Sequence, residues 1–209
     1  WVSTGAACIA NLGIEGCGFE QQLEAARRAL VDHRDGANAG FIREDSIVVV
    51  VFLSDEDDCS IAEGSEHFFD TSDTTLGPLN LRCHNNPEML WPVDAYIDAL
   101  ISIQPSPEDT LAAFIVGVPQ GASCEGQGDA IPGCLMVESM QEVVDPTSMS
   151  TLLPACESPE LGSRGVPGRR FVEIAQELGV NAYVQSICSP DYIPTTNWIS
   201  AKVADLAGD

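Results

Sequence analysis

Basic residues are scarce in this chain. Nine Lys and Arg face 32 Asp and Glu, for a net charge of −23, and Lys202 is the only lysine. Phosphate backbones and anionic membrane surfaces are held by Lys and Arg, so both are excluded as partners. Aromatic residues make up 6 %, too few for a sugar-stacking platform. No apolar run is long enough to span a bilayer, and neither a signal peptide nor a basic targeting segment is visible. No Cys-x-x-Cys pair occurs, which removes the usual zinc-ribbon and thioredoxin spacings. No Gly-x-Ser-x-Gly elbow occurs either, which argues against a hydrolase nucleophile. Neither an internal repeat nor a coiled-coil heptad is present.

Against these absences stand surplus acid, eight cysteines and one concentrated apolar stretch. The acidity suits solubility, cation binding or a salty exterior. The cysteines are even in number, which suits four disulfides in an oxidising compartment. Eight cysteines allow 105 pairings. Pairing neighbours along the chain gives Cys8–Cys17, Cys59–Cys83 and Cys124–Cys134, and leaves Cys156–Cys188. With 209 residues the chain has enough length for one large domain with a real core, taken as residues 1–209.

The apolar stretch is Ile47–Leu53, seven residues of which six are β-branched or aromatic. It reads as a strand buried on both faces of a parallel sheet. The strand stops at Ser54-Asp-Glu-Asp-Asp58. In open α/β sheets, ligands gather just past the carboxyl ends of strands. Four carboxylates there repel one another, and Mg2+ or Ca2+ relieves such repulsion through oxygen ligation. The plainer alternative is a solvated acidic turn that merely ends the strand.

Around it the chain alternates. Apolar residues recur at helical spacing over 19–32 (Phe19, Leu23, Ala26, Leu30), over 91–103, over 167–178 and over 192–207. Further strands are expected at 110–118 and 181–188. Residues 61–90 form a long acidic loop, and 119–167 read as an irregular Cys-containing insertion. Ala6 to Leu12 suits a helical turn. Asp70-Thr-Ser-Asp-Thr74 fits a metal-loop pattern by chance, because no hydrophobic strand precedes it. Strand and helix in alternation predict an α/β domain with a parallel sheet and helices on its faces.

Four blocks carry a resemblance: Gly16-Cys-Gly-Phe-Glu-Gln-Gln-Leu-Glu-Ala25, the strand running into Ser54-Asp-Glu-Asp-Asp-Cys-Ser60, Ile115-Val-Gly117 and Gln185-Ser-Ile-Cys188. Together they resemble von Willebrand factor A-like domains, in particular the Cys-rich secreted or surface-anchored type of myxobacteria and related bacteria. The resemblance implies a three-layer, Rossmann-like parallel sheet with helices on both faces and disulfide-stapled insertions. It also implies a divalent cation at the carboxyl ends of the strands. Asp55 matches the family's aspartate after the fourth strand, Glu20 stands near the family's threonine position, and Asp57 and Asp58 complete the acidic set. The family's D-x-S-x-S loop follows no strand here. Either a segment before Trp1 carries it, removed or unrecorded, or the domain is a reduced form lacking a full metal site. In the family's sheet order the strand at 46–53 would lie beside the absent one, leaving an apolar edge to be covered by another chain, a swapped segment or N-terminal residues.

Other candidates have plainer readings beside functional ones. His67 and His84 lie in the acidic loop and are candidates to join Asp58 at a metal, though loop histidines are commonly just solvated; His33 is isolated. Asp55 and Asp58 as an acid/base pair would make a metal-dependent hydrolase, ranked last. Arg169 and Arg170 suit either a carboxylate ligand or pairing with the surplus acids. Trp91 suits core or a staple, and Trp198 helix packing. The leading expectation is an extracellular, secreted or lipid-anchored surface module for binding or adhesion, not an enzyme. Its cation, Mg2+ or Ca2+, would hold an acidic group of a protein or surface ligand. The alternative is a structural, self-assembling, disulfide-stapled surface protein without a working metal site.

Overall fold

The structure, a computed structural model, describes residues 18–208. The Ala6 to Leu12 turn and the Cys8–Cys17 pairing lie outside the described residues.

Among the described residues, strand-forming sequence produces a four-stranded sheet. The three long strands are β1 (Val48–Leu53), β2 (Thr110–Val116) and β6 (Ala182–Ser186). They run parallel, with Phe52 opposite Phe114 and Phe114 opposite Val184. Two residues of the 119–167 segment, β3 (Gly126–Gln127), add antiparallel to β6. The same segment forms a small hairpin from β4 (Cys156–Ser158) and β5 (Ser163–Gly165). The expected insertion therefore contributes a sheet edge of its own.

The helices are α1 (Gln22–Arg27), the short α2 (Arg82–Asn85), α3 (Val93–Ile101), α4 (Arg169–Leu178) and α5 (Ile193–Ala207). The periodicity over 19–32 is answered by α1 and a wider π turn, Arg28–Asp32. Alternation along the strands sends Phe52, Phe114 and Val184 to one face of the sheet and Tyr183 to the other. Phe171 of α4 packs on the first face, its ring centre 5.8 Å from Phe52 and 6.0 Å from Phe114. Phe52 and Phe114 themselves stack at 5.2 Å. Leu23 of α1, Tyr96 and Leu100 of α3, and Val172, Ile174 and Ala175 of α4 close the core on that side. Trp198 of α5 packs on Tyr183 of the opposite face at 5.5 Å. The protein is thus a mixed α/β fold with a mostly parallel sheet.

The strand at 46–53 corrects one expectation. It is not buried on both faces. β2 is the wholly buried strand, while β1 is an edge strand that, among the described residues, pairs only with β2. Phe52 faces the core, whereas Val51 and Leu53 are 50 % and 60 % exposed. An apolar run predicts a strand but does not say how many neighbours the strand has.

Among the described residues, three disulfides join Cys59–Cys83, Cys124–Cys134 and Cys156–Cys188, the pairings that chain proximity suggested. Cys59–Cys83 closes the acidic loop over a second small core of Ile61, Phe68 and Leu90. Within that loop Asp70 accepts from the N–H and hydroxyl of Ser72, and Asp73 from those of Thr75. The buried Arg82 guanidinium donates to the carbonyls of Phe68, Asp70 and Asp73. The metal-loop pattern is therefore an arginine-filled turn.

Candidate functional site

The acidic block leaves β1 at its carboxyl end and divides in two. Ser54 continues the ladder by donating its N–H to the Ile115 carbonyl at 3.1 Å. Its hydroxyl receives the Gln22 amide at 2.6 Å and donates to the Glu56 carbonyl at 2.8 Å. This local turn holds Asp55 and Glu56 outward. Glu20 lies close to both: burial and then the charge of Asp55 raise its carboxyl, and burial, Asp55 and Glu20 raise that of Glu56.

Asp57 and Asp58 turn inward. Asp58 is buried, and each of its oxygens accepts two hydrogen bonds. Oδ1 takes the Leu23 N–H at 2.9 Å and the Ser60 hydroxyl at 2.7 Å. Oδ2 takes the Ser60 N–H at 3.1 Å and Arg170 Nε at 3.2 Å. The Ser60 hydroxyl in turn accepts the Glu24 N–H at 3.1 Å, so Asp58 and Ser60 together satisfy the opening N–H groups of α1. Burial pushes the Asp58 carboxyl up, while Arg170, Ser60 and the Leu23 N–H pull against it.

Asp57 does the same for α4. Its carboxylate accepts the Arg170 N–H at 3.2 and 3.3 Å and the Asp58 N–H at 3.0 Å. It keeps a partly exposed rim in a narrow crevice that it shares with Cys83, His84 and Glu142, yet burial pushes its carboxyl up to about 8. The sign of the consequence follows from linkage. A carboxyl raised when folded stabilises most fully below its unfolded value near 3.8, and that contribution is lost as pH rises through about 8. Asp57→Asn is therefore expected to flatten the fall of stability between pH 4 and pH 8, measured by urea unfolding across that range. An unchanged slope in the variant would contradict the assignment.

Arg170 links the two acids. Besides Asp57 and Asp58 it donates to the Trp91 carbonyl at 2.8 Å, and its guanidinium carbon lies 6.0 Å from the Tyr96 ring centre. Arg169 instead donates to the carbonyls of Leu135 and Met140. His84 lines the crevice beside Asp57 and Asp58 but pairs with Glu142, Nδ1 to Oε2 at 3.5 Å; His67 is exposed on a separate turn. Trp91 packs against the core beneath Arg27, whose guanidinium carbon is 5.4 Å from the ring centre.

Of the residues expected to hold a divalent cation, Glu20 and Asp55 are brought together at the surface, while Asp57 and Asp58 are carried inside. Among the described residues, no group of three or more His, Cys, Asp or Glu is placed to hold a metal ion. A carboxylate has about four acceptor positions, and those of Asp58 are filled by four donors. Asp58, one of the four residues read from sequence, thus has no acceptor position open to a cation.

Two further contributors stand inside blocks quoted from the sequence without a role being assigned to them there. Ser60 follows Asp58 at the spacing of a local Asp-x-Ser hydrogen-bonded turn, a signal that was there to read. Gln185, in the block Gln185–Cys188, accepts from the Thr195 N–H and hydroxyl and so anchors the start of α5. Compared with models of protein families, with curated proteins and with solved structures, the chain matches none.

Proposed function

We propose that the chain is a non-enzymatic, extracellular binding module of the von Willebrand factor A-like kind, with that family's three-layer architecture, and that it engages another protein along the edge of β1 that no other described strand pairs with. The observation that supports this most is the edge itself. Protein edges are usually blunted by lysine, proline or a bulge. Val48–Leu53 contains no lysine or proline and is regularly paired with β2 along its whole length, so its outer rim is flat and apolar. A flat edge of this kind takes an added strand, backbone to backbone.

The charge around it narrows the occupant. Glu20, Asp55 and Glu56 stand at the end of β1, and the chain as a whole carries −23. That charge opposes a second copy and favours an extended apolar segment carrying a basic residue where it meets this corner. The acid-bearing ligand implied by a bound cation loses its anchor, since two of the four expected ligand residues are taken up inside. Secretion or surface display accords with three disulfides. No helix among the described residues is long and apolar enough to cross a membrane.

The test uses a synthetic peptide of alternating valine and threonine ending in lysine, with hydrogen exchange and sedimentation as readouts. Saturable protection of the β1 amides that face away from β2 is expected, with binding weakened by about tenfold or more in Val51→Lys. Two results would refute the proposal. One is protection, already in the free monomer, of the β1 amides that face away from β2. The other is a self-associating chain in which only a second copy confers protection.

A further inference from the structure

The structure assigns to Arg170 the role of a built-in cation for the strand-end acids. Three observations meet on this one residue. Its side chain reaches Asp58 at 3.2 Å with 15 % of its own surface exposed and none of the Asp58 side chain exposed. Its backbone N–H reaches Asp57. Its remaining guanidinium edge is held by the Trp91 carbonyl and faces Tyr96, so the group is fixed by backbone and ring rather than by solvent.

A divalent ion in such a loop would neutralise clustered carboxylates and tie together the segments that supply them. Arg170 does both jobs from within the chain. It neutralises Asp58, and through Asp57 and Asp58 it joins the exit of β1 to the starts of α1 and α4. Filling every acceptor position of Asp58 leaves none of its own oxygens for an ion to take. The joint among β1, α1 and α4 is consequently independent of divalent cations, whatever the exposed corner at Glu20, Asp55 and Glu56 does.

Thermal unfolding of the full chain tests this in two arms. In the first, the wild type is melted in chelator and in millimolar Ca2+ or Mg2+; the midpoints are expected to coincide within about 1 °C. In the second, Arg170→Ala is expected to lower the midpoint by roughly 6–20 °C. Millimolar guanidinium, too dilute to denature, should recover part of that loss, and Arg170→Lys should lose less than Arg170→Ala. A Ca2+- or Mg2+-dependent rise in the wild type that disappears in Asp58→Asn would overturn the assignment. A rise that persists in Asp58→Asn lies elsewhere and leaves it standing. Should Arg170→Ala fail to fold, the wild-type arm and Arg170→Lys decide; a lysine variant with the full loss, together with a wild-type rise that Asp58→Asn abolishes, would count against it.

Discussion

Asp58→Ala is expected to destabilise the protein by about 3–5 kcal/mol, the range for removing one partner of a buried, hydrogen-bonded ion pair. The size follows from what is left behind. Arg170 keeps its charge with a side chain only 15 % exposed, and the N–H groups of Leu23 and Ser60 lose their acceptor. Each orphaned buried donor costs about 1–3 kcal/mol on its own, and relaxation of α1 toward solvent recovers some of it. Asp55→Ala, one position from the same block, is expected to change stability by no more than about 0.5 kcal/mol, because its side chain is exposed. Urea unfolding of both variants in chelator separates two accounts. If the block were a cation seat, the two aspartates would matter together and only with the ion present. If it is a clasp, they differ sharply and the ion is irrelevant.

Gly117→Ala is expected to cost more than about 3 kcal/mol or to prevent folding, an overpacking effect at the upper end of its usual range. Gly117 does not occupy a left-handed conformation; its requirement is space. A Cβ there would lie 1.8 Å from the Val166 carbonyl oxygen and 2.9 Å from the Gly165 carbonyl carbon, both backbone atoms that no rotamer change can move. The contact is mutual, since a Cβ on Gly165 would lie 2.7 Å from the Gly117 Cα. The Gly117 carbonyl also accepts the Gly168 N–H at 2.9 Å, which sets the entry of α4 and therefore the position of Arg170. Gly133→Ala is the control: nothing lies within 4 Å of its added methyl and its φ is −94°, so a change below about 1 kcal/mol is expected. Circular dichroism with equilibrium unfolding reads both.

Long elements with a clear period could be read from the sequence. The strands expected at 47–53, 110–118 and 181–188 correspond to Val48–Leu53, Thr110–Val116 and Ala182–Ser186, and the helices expected to begin near 167 and 192 to Arg169–Leu178 and Ile193–Ala207. Elements of two or three residues, such as β3 and the β4–β5 hairpin, are too short to show any period and were legible only as an irregular Cys-containing segment. The block at 54–58 was legible as acidic and as the end of a strand. Its split into an outward pair and an inward pair was not, because the inward pair depends on Arg170, which lies 112 residues from Asp58 in the chain. Local spacing did hold one hint, the Asp58-x-Ser60 turn. Gly117 and Gln185 stood inside blocks of the family resemblance, yet their work depends on Val166 and Thr195, partners that lie elsewhere in the chain and that spacing does not reveal.

The most direct measurement of the central claim is a double-mutant cycle on Asp58 and Arg170, using Asp58→Asn, Arg170→Met and the pair, by urea unfolding in chelator. The acids at the end of β1 being a clasp closed by an arginine, the cycle should return a coupling of about 2–3 kcal/mol without any metal present. Additivity within about 0.5 kcal/mol, together with stability that rises on adding Ca2+ or Mg2+ only while Asp58 is intact, would contradict it.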